Sequence, residues 1–380
     1  MKVPQIFDRN MKRLAFLDNA VSVGYSLEIN SLWTATFTLP ADDDKNAYCQ
    51  PLNFVEIFDG DERIDLFRII GEDLERSNGA TRFYDCEHVL ATLLSDVLFQ
   101  YHQYGGGGIK TADVLNYVLA RQTTRNWVLG DCDFKRYFEY NWENSTLLAA
   151  LFAVPECFDS EYMWTWDTTV YPWTISLVAP SDTMKSEVRY AKNMTSMKKT
   201  VDASGIANRI YALGYGEGVN QLTIAGVNGG KPYVEDAMSI QQYGLCSTIL
   251  VDSRYEVAEN LKGYAEQMLA ELKNPYVSYE IGAIDLHRLT GDTFSKFRPG
   301  EIVRVVDEAD GINLRTRIVS VEKSDAQGDP GSVTVTIANK SKDIAGSISE
   351  LQNRALINET YAQGATNQQI YNFTNNADAT

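Results

Sequence analysis

Residues 66–94, LFRIIGEDLERSNGATRFYDCEHVLATLL, predict a β-hairpin that leads into a helix. Two strand-like runs, 66–76 and 80–86, flank Asn78-Gly79, a pair that supplies both positive-φ positions of a type I′ turn. Asp85 then stands where the N-cap of a helix belongs. The apolar stripe of that helix would consist of Val89, Leu90, Leu93, Leu94, Val97 and Leu98.

The residues upstream of this hairpin predict further strands. Within 32–39, LWTATFTL, the apolar residues Trp33, Ala35, Phe37 and Leu39 alternate with polar ones, and Pro40 follows. That period of two is typical of a strand with one buried face. Residues 53–59 predict another strand. Several strands followed by one helix indicate a small β-barrel-like domain over residues 1–103, plugged by the helix.

The rest of the chain is interpreted as an α+β, multidomain arrangement. Four glycines at 105–108 are compatible with a linker or with a tight bend inside one domain. The predicted segments are an α+β domain at 104–190, a second β-barrel-like domain from 191–215 with 277–345, an inserted α+β domain at 216–276, and a short helix with a flexible tail at 346–380.

Two helices in the second half of the chain have recognisable start signals. Ser253 and Glu256 match a capping box for a helix over 253–274, which Pro275 would end. The expected apolar stripe of that helix is Val257, Leu261, Tyr264, Met268, Leu269 and Leu272. Near the C-terminus, Ile348, Leu351 and Ala355 follow a heptad-like spacing and form a candidate trimer-tip helix.

Composition restricts the function classes. The 380 residues carry 34 Lys+Arg and 51 Asp+Glu, a formal net charge of −17. That charge argues against binding nucleic acid through its phosphates and against adhesion to an anionic membrane. No run of apolar residues approaches the roughly 18 needed to span a bilayer. The odd number and wide spacing of the five cysteines predict small buried thiols in a chain made in a reducing cytoplasm.

The chemical motifs of cofactor-dependent enzymes are not matched. Gly214, Gly216 and Gly218 fail the dinucleotide spacing because position 219 is Val, and Gly229-Gly230-Lys231 is followed by Pro232 where a P-loop needs Ser or Thr. The three histidines belong to no metal-binding pattern, and no residue is singled out as a nucleophile. The sequence therefore predicts no catalytic residue, no metal site and no cofactor.

One aromatic cluster has two interpretations. Tyr162, Trp164 and Trp166 occupy alternate positions of a predicted strand at 161–167. Their faces could stack against the apolar faces of a carbohydrate or against a partner. The same alternation is what the core of a small sheet requires, and this second interpretation is favoured.

Three segments resemble a known family. These are residues 66–94, with a strand, a hairpin and a helix; residues 193–218, with Asn208-Arg209 and a strand ending at Gly214; and residues 298–340, with a Pro-Gly start, an Asp-centred turn and a strand containing Arg315 and Arg317. Together they resemble the prophage tail endopeptidase, or tail-associated lysin, family of Gram-positive phages.

The resemblance implies a baseplate hub at a phage tail tip. Members form homotrimers whose two related barrel domains per chain close a pseudo-sixfold ring against the sixfold ring of the distal tail protein. The implied partners are further copies of the chain, the distal tail protein, the tape-measure protein and tip or fibre proteins, with DNA passing through the lumen and no membrane insertion. The implied location is the tail tip of a virion or phage-like particle.

Two other functions are kept open. Larger relatives carry a peptidoglycan-degrading domain after this region, and only about 35 residues follow the last predicted strand here, so the endopeptidase activity is not expected. An unrecognised carboxylate site acting on cell walls is the first alternative. A carbohydrate-binding tail module that uses Tyr162, Trp164 and Trp166 is the second.

Overall fold

The computed structural model describes residues 2–76, 79–158, 160–291, 296–309 and 311–338. These residues form two compact units, one of residues 2–200 with 277–338 and the other of residues 201–276. The predicted trimer-tip helix with Ile348, Leu351 and Ala355 lies outside the described residues, as does Asn78. The finer division into five segments stays a prediction.

The first unit is built around one large sheet with strands from both ends of the chain. The N-terminal strands are β1 (Gln5–Phe7), β2 (Arg13–Phe16), β3 (Ser22–Glu28), β4 (Thr34–Pro40), β5 (Phe54–Asp59), β6 (Glu62–Glu75) and β7 (Thr81–His88). Strands β8 to β12, given below, form smaller sheets. The later strands of the large sheet are β13 (Met184–Arg189), β14 (Met194–Asp202), β18 (Tyr276–Ile284), β19 (Ile302–Asp307), β20 (Ile312–Lys323) and β21 (Ser332–Ala338).

The large sheet is open, so the predicted β-barrel-like domains are wrong in this respect. Among the described residues its order runs β14-β18-β21-β20-β3-β4-β7-β6-β5-β1-β2, with β19 attached to β20 and β13 to β19. Neither half closes on itself, because β3 of the first half pairs with β20 of the second half. A strand alternation in the sequence identifies a buried face and does not identify which strand lies alongside.

The two halves of this sheet repeat one arrangement. The central strand of each half, β6 or β20, is long and pairs with two neighbours in succession. The first part of β6 pairs with β5 and its later part with β7, and the first part of β20 pairs with β19 and its later part with β21. In both, the register shifts at the same point, between Ile69 and Gly71 and between Ile318 and Ser320. The local sequences also agree, RIIG at 68–71 and RIVS at 317–320. The two halves therefore repeat one local arrangement, and the predicted pair of related hub domains stays a prediction.

Each half has its own hydrophobic core. The first packs Ile6, Leu17, Val23, Phe37, Val55, Ile57, Phe67, Ile69 and Tyr84. The second packs Val188, Ile281, Val303, Val305, Ile318, Val321, Val333, Val335 and Ile337. The predicted buried face of β4 is confirmed, since Ala35, Phe37 and Leu39 are almost fully buried.

The helix predicted after Asp85 differs from the structure in both start and length. Asp85 lies inside β7, opposite Gly71 on β6 and Thr36 on β4, because β7 is paired on both sides. The chain leaves the sheet only after His88, whose Nδ1 accepts a hydrogen bond from the Leu90 amide at 3.1 Å. A short 3₁₀ helix, Val89–Leu94, follows.

Residues 97–178 form smaller sheets within the first unit. Their elements are β8 (Val97–Gly105), α1 (Thr111–Leu119), β9 (Trp127–Cys132), β10 (Glu139–Thr146), α2 (Leu147–Phe152), β11 (Met163–Asp167) and β12 (Trp173–Val178). Strand β8 pairs with β10, and β12 lies between β9 and β11. Gly105–Gly108 all have positive φ, and the Gly106 amide bonds to Phe138 O at 3.0 Å. These glycines therefore form a tight bend beside Phe138, and the predicted linker between two domains stays a prediction.

The second unit contains one three-stranded sheet and one long helix. Its elements are β15 (Arg209–Leu213), β16 (Tyr233–Glu235), α3 (Ala237–Tyr243), β17 (Ser247–Val251) and α4 (Ala258–Leu272). The predicted capping box is wrong, because α4 begins after Val257, which gives no side-chain cap. The predicted stripe is confirmed at Leu261, Tyr264, Met268, Leu269 and Leu272, which are buried. Val257 does not belong to it, because this residue precedes the helix and is exposed. The remaining α-helix of the described residues, α5 (Leu286–Thr290), belongs to the first unit.

Candidate functional site

A cavity of about 660 Å³ lies beside the β3–β20 junction in the first unit. Strands of the first half contribute Tyr25, Trp33, Asp59 and Arg63, and the second half contributes Asp285, Arg288 and Val321. Met163 and the two tryptophans of β11 complete this part of the wall. The cavity therefore combines charged groups with aromatic surface.

Asp59 and Asp285, which line the cavity, belong to a buried ion network centred on Lys323, which is 2% exposed. Lys323 Nζ donates to Asp59 Oδ2 at 2.7 Å, to Asp285 Oδ2 at 2.7 Å and to Pro330 O at 3.0 Å. All three hydrogens of the ammonium group therefore have acceptors. The lysine is held as a structural cation between the two halves and is unsuited to act as a nucleophile.

Two further donors complete the network around Asp59. Tyr25 Oη donates to Asp59 Oδ2 at 3.1 Å, and Arg288 Nε donates to Asp59 Oδ1 at 3.2 Å. Burial of the phenol is the main reason that the pKa of Tyr25 lies well above its ordinary value. The neighbouring carboxylate of Asp59 raises this pKa further. The phenol therefore remains a neutral hydrogen-bond donor at physiological pH.

The signal for this network in the amino-acid sequence is faint. Asp59 and Lys323 are 264 residues apart, and each resembles an ordinary surface charge. However, Lys323 lies two residues after buried Val321 on β20, so it occupies the core-facing phase of the strand. A charged residue at a core-facing strand position is unusual, and this is the feature of the sequence that could have identified Lys323 as part of a buried network.

A second polar cluster surrounds Asp65 on β6. Arg63 contacts both Glu56 and Asp65, and its Nη2 donates to Thr168 Oγ1 at 2.7 Å. Thr168 donates in turn to Asp65, and the Leu66 amide donates to Asp65 Oδ1 at 2.8 Å. The cluster fixes the loop after β11 against β6.

His88 connects this cluster to the aromatic wall. Its ring is fully buried, and Nε2 lies 3.5 Å from Asp65 Oδ2 while Nδ1 accepts from a backbone amide. That assignment puts the ring proton on Nε2, pointing at the carboxylate. His88 therefore accepts one backbone hydrogen bond through Nδ1, while its buried Nε2 contacts Asp65 Oδ2 at 3.5 Å without a hydrogen bond.

The pKa of Asp65 should make folding acid-sensitive. Burial alone would raise this pKa, but His88 and Arg63 lower it below its ordinary value. A carboxylate with a depressed folded-state pKa stabilises the fold above its unfolded pKa of about 3.9, and this contribution is lost as the pH falls through the folded value. Asp65→Asn should therefore lower the free energy of unfolding by about 3 kcal/mol at pH 7, as expected when one partner of a buried charge pair is removed.

Urea unfolding of wild type and Asp65→Asn from pH 7 down to pH 3 checks this expectation. The difference between the two proteins should shrink as the pH falls below about 4. Asp131→Asn, at an exposed position on β9, is the matched control and should track the wild type. A difference that stays constant with pH would contradict the assigned role of Asp65.

The predicted aromatic face is only partly accessible. Trp164 is 3% exposed and packs edge-on against Phe152, with ring centroids 5.3 Å apart. Trp166 packs against Trp33 at 4.7 Å and His88 at 4.9 Å, and Tyr162 lies against Phe158. The geometry favours the sheet-core interpretation, and a ligand-binding role for these three residues stays a prediction.

The chemistry of this site is that of a polar junction. Within the described residues, no group of three or more His, Cys, Asp or Glu side chains is placed to hold a metal ion. Nor does any helix in the described part of the chain have the length and apolar character needed to cross a membrane. What the site does is hold two related halves together through buried charges.

Comparison with known families identifies two matching segments. Residues 181–348 match the family model described as "Prophage endopeptidase tail", and residues 106–172 match that of the "Prophage endopeptidase tail domain". No curated protein matches the sequence.

Three solved structures with a similar fold are tail proteins. Prophage tail protein gp18 from Listeria monocytogenes is 14% identical, with a TM-score of 0.61 over 93% of this chain and 99% of that one. A tail protein from Neisseria meningitidis is 12% identical, with a TM-score of 0.64 over 89% and 96%. The prophage MuSo2 43 kDa tail protein from Shewanella oneidensis is 13% identical, with a TM-score of 0.60 over 90% and 99%. The family resemblance read from the sequence is confirmed.

Proposed function

We propose that this chain, a relative of the prophage endopeptidase tail proteins, is the hub at the tip of a phage tail or of a phage-derived tail particle. Its role is structural. It closes the tail tube, joins the ring of the distal tail protein and carries the tip or fibre below.

The repeated halves of the first unit are the observation that carries this proposal. Each half presents the same hairpin, with the same register shift after Arg68-Ile69 and after Arg317-Ile318. Three copies of such a chain present six similar units. A trimer can thereby match a sixfold ring while keeping its own threefold symmetry.

The charge of the chain supports the same role. A net charge of −17 repels a phosphate backbone, which suits a lumen through which DNA slides without being held. The expected partners are two further copies, the distal tail protein, the tape-measure protein and tip or fibre proteins. The particle tail tip is the corresponding location, after synthesis in the bacterial cytoplasm.

The proposal assigns no catalytic activity to the chain. Two carboxylates that line the cavity, those of Asp59 and Asp285, are both engaged with Lys323. A zymogram with purified host cell walls tests the alternative of a tail endopeptidase. A cleared band at the position of this chain would contradict a purely structural role.

Light scattering tests the hub proposal directly. We expect a molar mass of three times the 42.6 kDa of the chain. Mixing with the distal tail protein should give a complex of three copies with six. A chain that stays monomeric alone and also fails to bind the distal tail protein would overturn the proposal.

A further inference from the structure

The first unit contains a junction that its repeated architecture can form twice. Edge strand β3 of the first half pairs antiparallel with the end of β20 in the second half, Tyr25 opposite Lys323 and Glu28 opposite Ser320. This pairing begins immediately after the register shift in β20. It is the backbone connection between the halves.

The equivalent elements are present on the other side of the repeat. Strand β14 corresponds to β3, because the order of neighbouring strands is equivalent in the two halves: β14-β18-β21-β20 in the second and β3-β4-β7-β6 in the first. Residues 71–74 of β6 correspond to residues 320–323 of β20, because both follow the shared register shift. Within the described residues, neither β14 nor this part of β6 has a strand on its second side.

We infer that β14 of one copy pairs antiparallel with residues 71–74 of β6 in a second copy, repeating the β3–β20 junction between chains. This inference rests on the proposed trimeric hub and specifies how its copies are joined. Each chain presents one edge of each kind, so the contact is head-to-tail and closes when three chains alternate six halves.

Charge complementarity identifies the occupant of each edge. Strand β14 contains Lys198 and Lys199 in a chain of strongly negative net charge, and the facing part of β6 contains Glu72 and Asp73. Within the chain, Lys198 reaches Glu280 only at 3.8 Å, with both side chains largely exposed. Opposite charges on directly facing strand residues stabilise pairing, and like charges oppose it.

The hydrophobic side chains of the β6 edge support the same contact. Ile70 is 52% exposed and Leu74 is 41% exposed, on a strand whose backbone is ready to accept another strand. Exposed edges of this kind are normally blocked or paired. Pairing with a second copy would cover them.

Charge reversal on each edge, followed by restoration, tests the inference. The first variant is Lys198→Glu with Lys199→Glu, the second is Glu72→Lys with Asp73→Lys, and the third combines all four changes. Sedimentation equilibrium should give a trimer for wild type. Each two-site variant should have a trimer dissociation constant at least 100-fold weaker, and the four-site variant should recover most of that loss.

The controls separate this contact from folding and from net charge. Lys12→Glu with Lys135→Glu changes the net charge of the chain as the first variant does, at exposed positions on other elements, and should remain trimeric. Circular dichroism should show each variant folded, since Glu72→Lys exchanges a partly exposed ion pair with Arg82 for a partly exposed like-charge contact, a change that costs little stability at a surface position.

The outcomes distinguish the two proposals. If wild type is trimeric and both two-site variants remain equally trimeric, the edge pairing is wrong while the hub stands. If wild type is monomeric and does not bind the distal tail protein, the hub itself is overturned and the edge pairing with it. Loss in both two-site variants without recovery in the four-site variant would also contradict strand pairing by these charges.

Discussion

Lys323→Met is expected to lower the free energy of unfolding by about 3–5 kcal/mol, enough to remove a large part of the stability of a typical domain. The substitution preserves the volume and the unbranched shape of the side chain. It removes the cation that neutralises Asp59 and Asp285, whose carboxylates each lie 2.7 Å from Nζ. Arg288 would then be the remaining cation of the described residues in contact with Asp59.

The size of this effect comes from desolvation. Two buried carboxylates left without their shared counterion repel each other, and their burial removes most of the solvation that would offset this repulsion. Because Asp59 belongs to the first half and Lys323 to the second, the cost should fall on the junction between the halves. Residues near β3 and β20 should accordingly lose hydrogen-exchange protection first.

Urea unfolding monitored by tryptophan fluorescence measures this prediction. Lys135→Met, at an exposed position, is the matched control and should stay within about 0.5 kcal/mol of wild type. A triple variant, Lys323→Met with Asp59→Asn and Asp285→Asn, should regain part of the loss because no buried charge is left unpaired. A single variant as stable as wild type would mean that the network contributes nothing to holding the halves together.

The strands of this fold were predictable because their signals are local. In 32–39 the alternation that predicts a strand is also the alternation that buries Ala35, Phe37 and Leu39. The hairpin of β6 and β7 was predictable for the same reason, since two strand-like runs flank a turn pair within twenty residues. Helix α4 was recognised from its stripe although its capping residue was not.

The assembly of those strands into one open sheet was not predictable. The pairing of β3 with β20 joins residues about 300 positions apart, and nothing in either strand specifies the other. The sequence therefore predicted two separate barrels where the structure has two halves of one sheet. The helix start at His88 was missed because pairing of β7 on both sides outweighs the local preference of Asp85 for a cap.

The polar site was the least predictable part. Its ion network becomes visible only when the two halves meet, because a single lysine or aspartate in a strand has no distinctive spacing. The aromatic residues of β11 were singled out for the opposite reason. Their spacing is conspicuous, but the same spacing serves a core or a binding face, and only the packing partners distinguish the two.

Trp164→Ala is expected to lower the free energy of unfolding by about 3–5 kcal/mol, the usual cost of removing a buried indole. Trp164 is almost fully buried, its ring packs on Phe152, and its backbone amide donates to Asn30 Oδ1 at 2.8 Å. A residue whose role was to stack on a carbohydrate would instead have an exposed face, and its removal would weaken ligand binding with little change in stability.

Trp164→Phe provides the matched comparison. Within the described residues, the buried indole Nε1 of Trp164 has no hydrogen-bond acceptor, so phenylalanine removes an unsatisfied donor while keeping an aromatic ring. We expect it to stay within about 1.5 kcal/mol of wild type, because the gain from losing that donor offsets part of the smaller ring's packing loss.

Thermal and urea unfolding of both variants, with fluorescence titration of wild type against teichoic acid or cell-wall fragments, decides between core and binding face. Quenching of wild type by a wall fragment, lost in Trp164→Ala while stability is unchanged, would establish the carbohydrate-binding alternative. A large stability loss in Trp164→Ala, near-wild-type stability in Trp164→Phe and no quenching would assign β11 to the core.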